Sequence, residues 1–160
     1  MTITVRPAEI ADARGIAEVH VRAWQEAYAH LVPADALAKQ SVTQRTQRWA
    51  EIIRDDGTDV YVATEGTSIL GWASAGASCD ENPPRNRELQ GIYVLASSYG
   101  SGAGQALLDA ALGNVPAFLW VAEDNPRARA FYARNGFAPD GAEETHPLAG
   151  TPVKAVRLVR

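Results

Sequence analysis

Three glycines fall within five residues in "YGSGAGQALL", Tyr99 to Leu108, and an apolar run follows at once. The run reads as the start of a helix, so the glycines occupy a strand–helix junction. A helix start carries unpaired N–H groups and the positive end of the helix dipole. Glycines there let an anion approach the amides closely. Phosphate binding across Gly100, Ser101, Gly102, Ala103, Gly104 and Gln105 is the chemistry implied; the alternative is a helix start whose glycines serve tight packing. Two familiar phosphate sites fit poorly. A P-loop requires a Lys-Ser/Thr pair after the last glycine, where Gln105-Ala106 stands. A dinucleotide fold requires GxGxxG in the first strand–helix unit and an acid about twenty residues on; here the pattern is GxGxG, past the middle of the chain.

Other chemistry-bearing residues are fewer. Cys79 lies in a polar loop with no histidine near it in sequence, so it reads as a plain loop cysteine and not a nucleophile. His20, His30 and His146 have no metal-ligand spacing with acids or cysteine, so no metal is expected. Trp24 and Tyr28 are four apart and share a helix face. They either pack or line a pocket. On helical spacing alone, Phe131 and Tyr132 read as core aromatics.

These residues must be held by elements whose pattern is legible. "ITVRPA" alternates as an edge strand, stopped by Pro7. Pro7 to about His30 reads as a helix with Ile10, Ala13, Ile16, Ala17, Val19, Ala23 and Trp24 on its apolar side. "VPADALAKQ" breaks and restarts, and "VTQRTQRWAEIIRDD" is a second amphipathic helix. "DVYVA" and "ILGWASA" are strands around the hairpin composition "TEGTS". After the loop "SCDENPPRNR", "ELQGIYVL" is a buried strand, and Gly91 within it predicts a bulge or a close backbone approach. "GQALLDAAL" is a helix and "PAFLWVA" a strand. "NPRARAFYARNG" is a helix with Asn125 at its N-cap, Pro126 in the first turn and Gly136 at the left-handed C-terminal position. "PVKAVRLV" closes the chain as a strand. The sum is an α/β (α+β) sandwich of about seven strands and about four helices, with residues 1–160 as one domain.

Composition bounds the rest. A chain of 160 residues buries roughly 70% of its unfolded surface and needs no staples. A single cysteine excludes an internal disulfide. The net charge of −4 argues against a nucleic-acid partner and tolerates cationic substrates. No apolar run approaches a membrane span or a signal-peptide core, so a cytoplasmic protein is expected.

"ELQGIYVLASSYGSGAGQALLDAAL" followed by "LWVAEDNPRARAFYARNGF" resembles the GNAT superfamily of N-acetyltransferases. The resemblance covers two motifs in order, Glu88 to Phe137: a strand, the Gly-x-Gly turn, a helix, a strand, then Asn…Ala…Phe-Tyr…Gly-Phe. "RAWQEAYAHLVP" also resembles the opening helix and loop of many bacterial members. The resemblance implies a mixed, mostly antiparallel sheet, and acetyl-CoA as cosubstrate. Its pyrophosphate would be held by the amides of Gly100 to Gln105. Its pantetheine arm would pair with the backbone of Ile92, Tyr93 and Val94 like an added strand, near Asn125. One position departs from the family. Tyr99 stands where the turn usually has Gln or Arg, and no Lys or Arg lies between Tyr99 and Gln105. Binding then rests more on backbone amides, with Arg127 and Arg129 as candidates to help with the phosphates.

Acetyl transfer to an amine requires that the ammonium lose a proton, that the oxyanion be stabilised and that the leaving thiolate gain a proton. The resemblance implies Tyr132 as general acid, Glu88 as general base and a backbone amide of the Ile92–Val94 strand as oxyanion donor. For Glu88 the alternative is a strand-edge carboxylate paired with Arg85 or Arg87. Trp24 and Tyr28 would line the acceptor pocket. The expected acceptor is the primary amine of a small molecule. A protein or peptide amine, or an acyl-CoA-binding module without catalysis, are the alternatives. Exposed strand edges near the C-terminus make a homodimer an option.

Overall fold

The computed structural model describes residues 2–160. In chain order the elements are β1 (Thr4–Pro7), a 3-10 turn (Ile10–Asp12), α1 (Ala13–Tyr28), α2 (Ala34–Ala38), α3 (Val42–Arg54), β2 (Thr58–Glu65), β3 (Ser68–Ala77), β4 (Arg87–Val94), a second 3-10 turn (Ala96–Ser98), α4 (Ala103–Leu112), β5 (Phe118–Ala122), α5 (Pro126–Arg134), β6 (Ala138–Leu148) and β7 (Thr151–Val159). The strands form one sheet in the order β1-β2-β3-β4-β5-β7-β6. Every pairing is antiparallel except β4 with β5. The helix expected from Pro7 begins only at Ala13. Before it the backbone N–H of Glu9 donates to the Asp12 carboxylate, which also takes a bidentate bond from Arg6. That turn leaves Ile10 exposed, off the expected apolar face. The restart after Pro33 is a fifth, short helix, α2. β6 is an element that the sequence pattern does not announce, and it forms an edge of the sheet.

Strand alternation divides the core into two layers. Val62 and Trp72 face α1 and α3, where Ile16, Ala17, Ala23 and Trp49 are buried. Ala63, Ala73 and Ala75 face α4, against Leu107, Leu108, Ala111 and Leu112. Each fully buried leucine contributes about 1.5–3 kcal/mol relative to exposure. A third, smaller cluster joins Tyr28, Val32 and Leu37 to Ala122 and Val153.

The Gly91 region does both things expected of it. Opposite Ser74 and Ala75, β4 presents Gly91 and Leu89, so Gln90 is an extra residue bulged outward. A Cβ on Gly91 would stand 2.8 Å from the Trp72 ring. The bulge has a consequence for chemistry. Glu88 and Tyr93 are five apart and would point to opposite faces of a regular strand. The additional residue returns Glu88, opposite Gly76, to the α1 face that Tyr93 shares with Trp72.

His20 is buried in an aromatic cluster, stacked on Trp72 at 5.2 Å. The indole N–H of Trp49 donates to His20 Nδ1 at 3.3 Å, which leaves the ring proton on Nε2. Burial, and then the positive charge of Arg45, push its pKa down to about 3 from the ordinary 6.5. The unfolded chain takes up this proton near pH 6.5 and the folded chain does not until far lower. Stability from this group is therefore whole above pH 6.5 and is lost as pH falls towards 3, by about 2 kcal/mol between pH 7 and pH 5. Urea denaturation across that range is expected to show the loss in the wild type and a shallower pH dependence in His20→Asn. Equal slopes would show that another group sets the acid sensitivity.

Among the described residues, no helix is long and apolar enough to cross a membrane. Likewise, no group of three or more His, Cys, Asp or Glu is placed to hold a metal ion.

Candidate active site

β4 and β5 are in register at one pair, Glu88 opposite Phe118, and then part. A cavity of about 1100 Å³ occupies the gap. It is lined from both faces of the sheet: by Ile92, Val94, Val121, Phe131 and Tyr132 on the α4 side, and by Tyr93, Glu88, Trp120, Trp24 and Tyr28 on the α1 side. Backbone groups of β4 that face the gap have no ladder partner on the β5 side beyond Glu88. Such groups seek a hydrogen-bonding occupant.

The glycine turn forms one end. Gly100 and Gly102 adopt φ of +78° and +90°, and nothing stands within 4 Å of where a Cβ would be. That left-handed geometry is the glycine requirement here. Gly102 is the N-cap of α4 and offers no side-chain cap. The Ser101 hydroxyl accepts from the Ala103 N–H at 3.3 Å. The Ser101 N–H likewise donates to the Ser98 carbonyl, at 3.2 Å, so Gly102, Gly104 and Gln105 carry amides of the turn left to meet an anion, and the parted strand suits an extended ligand with amide groups. Of the residues expected to bind, Ile92, Tyr93, Val94, Gly100, Gly102, Gly104, Gln105 and Asn125 line this one cavity; Ser101 and Ala103 flank it in the turn. Asn125 also caps α5, its side-chain oxygen accepting from Ala128 N–H at 3.3 Å.

Tyr132 stands in the cavity wall, 7% exposed, its ring 5.4 Å from Phe131 and 5.9 Å from Phe137. Burial raises its pKa above the ordinary phenol value, and Tyr28 adds to the shift. The hydroxyl keeps its proton across the working range. Glu88 is half-buried at the far end. Burial is the largest cause raising its pKa and the Asp80 charge adds to it; a Ser78 hydrogen bond and His146 oppose them. Neither arginine considered as its partner is engaged with it. Arg87 pairs with Asp59 and donates to the Ala111 carbonyl, and Arg85 donates to the carbonyls of Arg160 and Pro84.

Trp24 and Tyr28 line the cavity together, edge to face at 5.8 Å. The Tyr28 and Tyr93 hydroxyls are 2.8 Å apart. Burial pushes the Tyr93 phenol up to about 12 and Tyr28 further. The Arg45 guanidinium lies 5.1 Å from the Trp24 ring centre. Trp120 and His146 are among the cavity residues that the sequence does not mark as site residues. Trp120 donates its indole N–H to Asp80 at 3.0 Å, and His146 donates Nε2–H to Glu144 at 2.7 Å while packing 5.1 Å from the Trp120 ring. The period-2 pattern of β5 carried a signal for Trp120. For His146 there was none, because β6 itself was not legible.

A sheet parted at its one parallel pair, with a glycine turn at the parting, defines a class. Residues 16–137 match the acetyltransferase (GNAT) family. The chain belongs to this family of acetyl-CoA-dependent acyltransferases. It is 32% identical over 164 residues to the uncharacterized N-acetyltransferase YuaI of Bacillus subtilis, covering 98% of this chain and 91% of that protein. Among solved structures it is similar to PaiA N-acetyltransferase from Thermoplasma acidophilum in complex with coenzyme A, at 18% identity and TM-score 0.70, covering 98% of each chain. It is also similar to YncA from Salmonella typhimurium with acetyl-CoA, at 20% identity and TM-score 0.73, covering 100% of this chain and 94% of the other.

Proposed function

We propose that residues 1–160 act as one domain that transfers acetyl from acetyl-CoA to the primary amine of a small molecule, by direct attack. The observation that carries this reading is the cavity between β4 and β5, with the open glycine turn at one end and Glu88 at the other. When bound, acetyl-CoA supplies the activated acetyl group. The amides left free among Gly100 to Gln105 hold its pyrophosphate. The backbone of Ile92 to Val94, with Asn125 nearby, holds its pantetheine arm. Glu88 takes the proton from the acceptor ammonium, a role that its raised pKa suits. Tyr132 holds a proton at its hydroxyl for the departing sulfur. The backbone amide of Val94 is the proposed oxyanion donor. Trp24, Tyr28 and Trp120 present aromatic surface to the acceptor. Glu88 adds negative charge, a combination suited to a cationic amine.

Calorimetric titration with acetyl-CoA, with ATP and NAD as controls, tests the first half. Selective binding of acetyl-CoA is expected. A screen of polyamines, other small amines and peptides, reading release of free thiol, tests the second. Turnover on peptides alone would overturn the small-molecule reading, and tight binding without turnover on any amine would overturn catalysis.

A further inference from the structure

Tyr99 departs from the basic or amide residue that opens this turn elsewhere, and the fold gives it an occupation. The guanidinium carbon of Arg127, in the first turn of α5, lies 3.5 Å from the centre of the Tyr99 ring. Twenty-eight residues separate the two in sequence, and both line the cavity beside Gly100, Gly102, Gly104 and Gln105. A guanidinium stacked flat on a ring is fixed in orientation while its in-plane N–H donors stay free. Among the described residues Arg127 has no carboxylate within ion-pair distance. Arg129, the other candidate, turns away and donates to the Glu123 carbonyl. Arg134 also lines the cavity, 5.9 Å from the Phe131 ring centre and, among the described residues, without an ion pair; Arg127 is the cation stacked at the glycine turn itself.

We propose that Arg127, held flat by Tyr99, is the cationic contact for the diphosphate of the cosubstrate and replaces the residue that the turn lacks. Tyr99 is a positioning residue. It makes no bond to phosphate but fixes the plane in which Arg127 donates. A planar fork pairs two N–H groups with two phosphate oxygens, which an ammonium does not. The inference rests on the acetyl-CoA reading above.

The test is calorimetric binding of three ligands: acetyl-CoA, acetyl-dephospho-CoA, and S-acetylpantetheine, which lacks the diphosphate. Arg127→Gln is expected to weaken the first two by roughly tenfold or more and to leave the third unchanged. Arg127→Lys should recover only part of the loss. Tyr99→Phe should bind like wild type, because the ring is what matters. Tyr99→Ala should lose several-fold, as is usual for a stacked cation. The double variant Arg127→Gln with Tyr99→Ala should be no weaker than Arg127→Gln alone. Equal weakening of all three ligands, or a loss confined to acetyl-CoA and absent for acetyl-dephospho-CoA, would overturn the diphosphate assignment. Additive losses would overturn the role of Tyr99. If wild type binds no acetyl-CoA, the functional reading itself fails; if wild type binds and Arg127→Gln binds equally well, only this inference fails.

Discussion

Tyr132→Phe is expected to lower kcat by roughly 10²- to 10³-fold while acetyl-CoA affinity by calorimetry stays within about twofold. The argument begins with packing. The ring sits against Phe131 and Phe137 in the core that α4 and α5 share with the sheet. Phenylalanine preserves those contacts, so the fold and the cosubstrate groove persist. Only a hydroxyl is removed. Burial raises the pKa of that hydroxyl, so it remains protonated wherever the enzyme works and can serve as a donor but not as a base. In the proposed mechanism its proton is needed only as the sulfur leaves. Loss of an interaction made at that moment lowers kcat and spares ground-state binding. An unchanged kcat would remove Tyr132 from the chemistry and return it to the core, where helical spacing alone would have put it. A matching fall in affinity and kcat would point to a groove that had rearranged.

Local grammar made α5 and the glycine turn legible. The Asn125 cap, Pro126 in the first turn and Gly136 at φ +86° depend on neighbours within four residues. The left-handed angles of Gly100 and Gly102 likewise follow from the turn itself. β6 was hidden because Pro139, Gly141 and Pro147 interrupt it and its side chains are mostly exposed. It is a strand because β7 pairs with it from Ala138 to Leu148, across a register irregularity after Pro139. The parting of β4 from β5 depends on where α4 returns the chain, which no window of sequence contains. The Arg127–Tyr99 stack is hidden for the same reason. Gly91 is the intermediate case. Its presence signalled a bulge or a close approach, but only pairing with β3 shows that Gln90 is the extra residue and that Glu88 consequently joins the face of Tyr93.

That placement makes Glu88→Gln the second large effect. At neutral pH kcat/KM is expected to fall about 10²-fold, and the pH–rate profile to move to alkaline values. Wild-type activity should fall as pH drops through the Glu88 pKa, which burial and Asp80 raise above the ordinary carboxylate value. Below it the carboxyl is protonated and cannot accept the acceptor's proton. In Glu88→Gln that acid limb disappears. The variant then depends on amine already deprotonated in solution, about 10⁻³ of the total at pH 7 for a pKa near 10. Its rate should climb close to tenfold per pH unit until the amine itself titrates. Stability gives the control. Because this setting disfavours the ionised carboxylate, a neutral amide of the same shape should fold at least as well as wild type at pH 7. Thermal melting should therefore show no loss of Tm while the rate falls. An unaltered pH profile would make Glu88 a structural carboxylate beside Ser78 and Asp80. The alkaline shift would instead identify the bulged strand as the device that brings a base to the parted edge of the sheet.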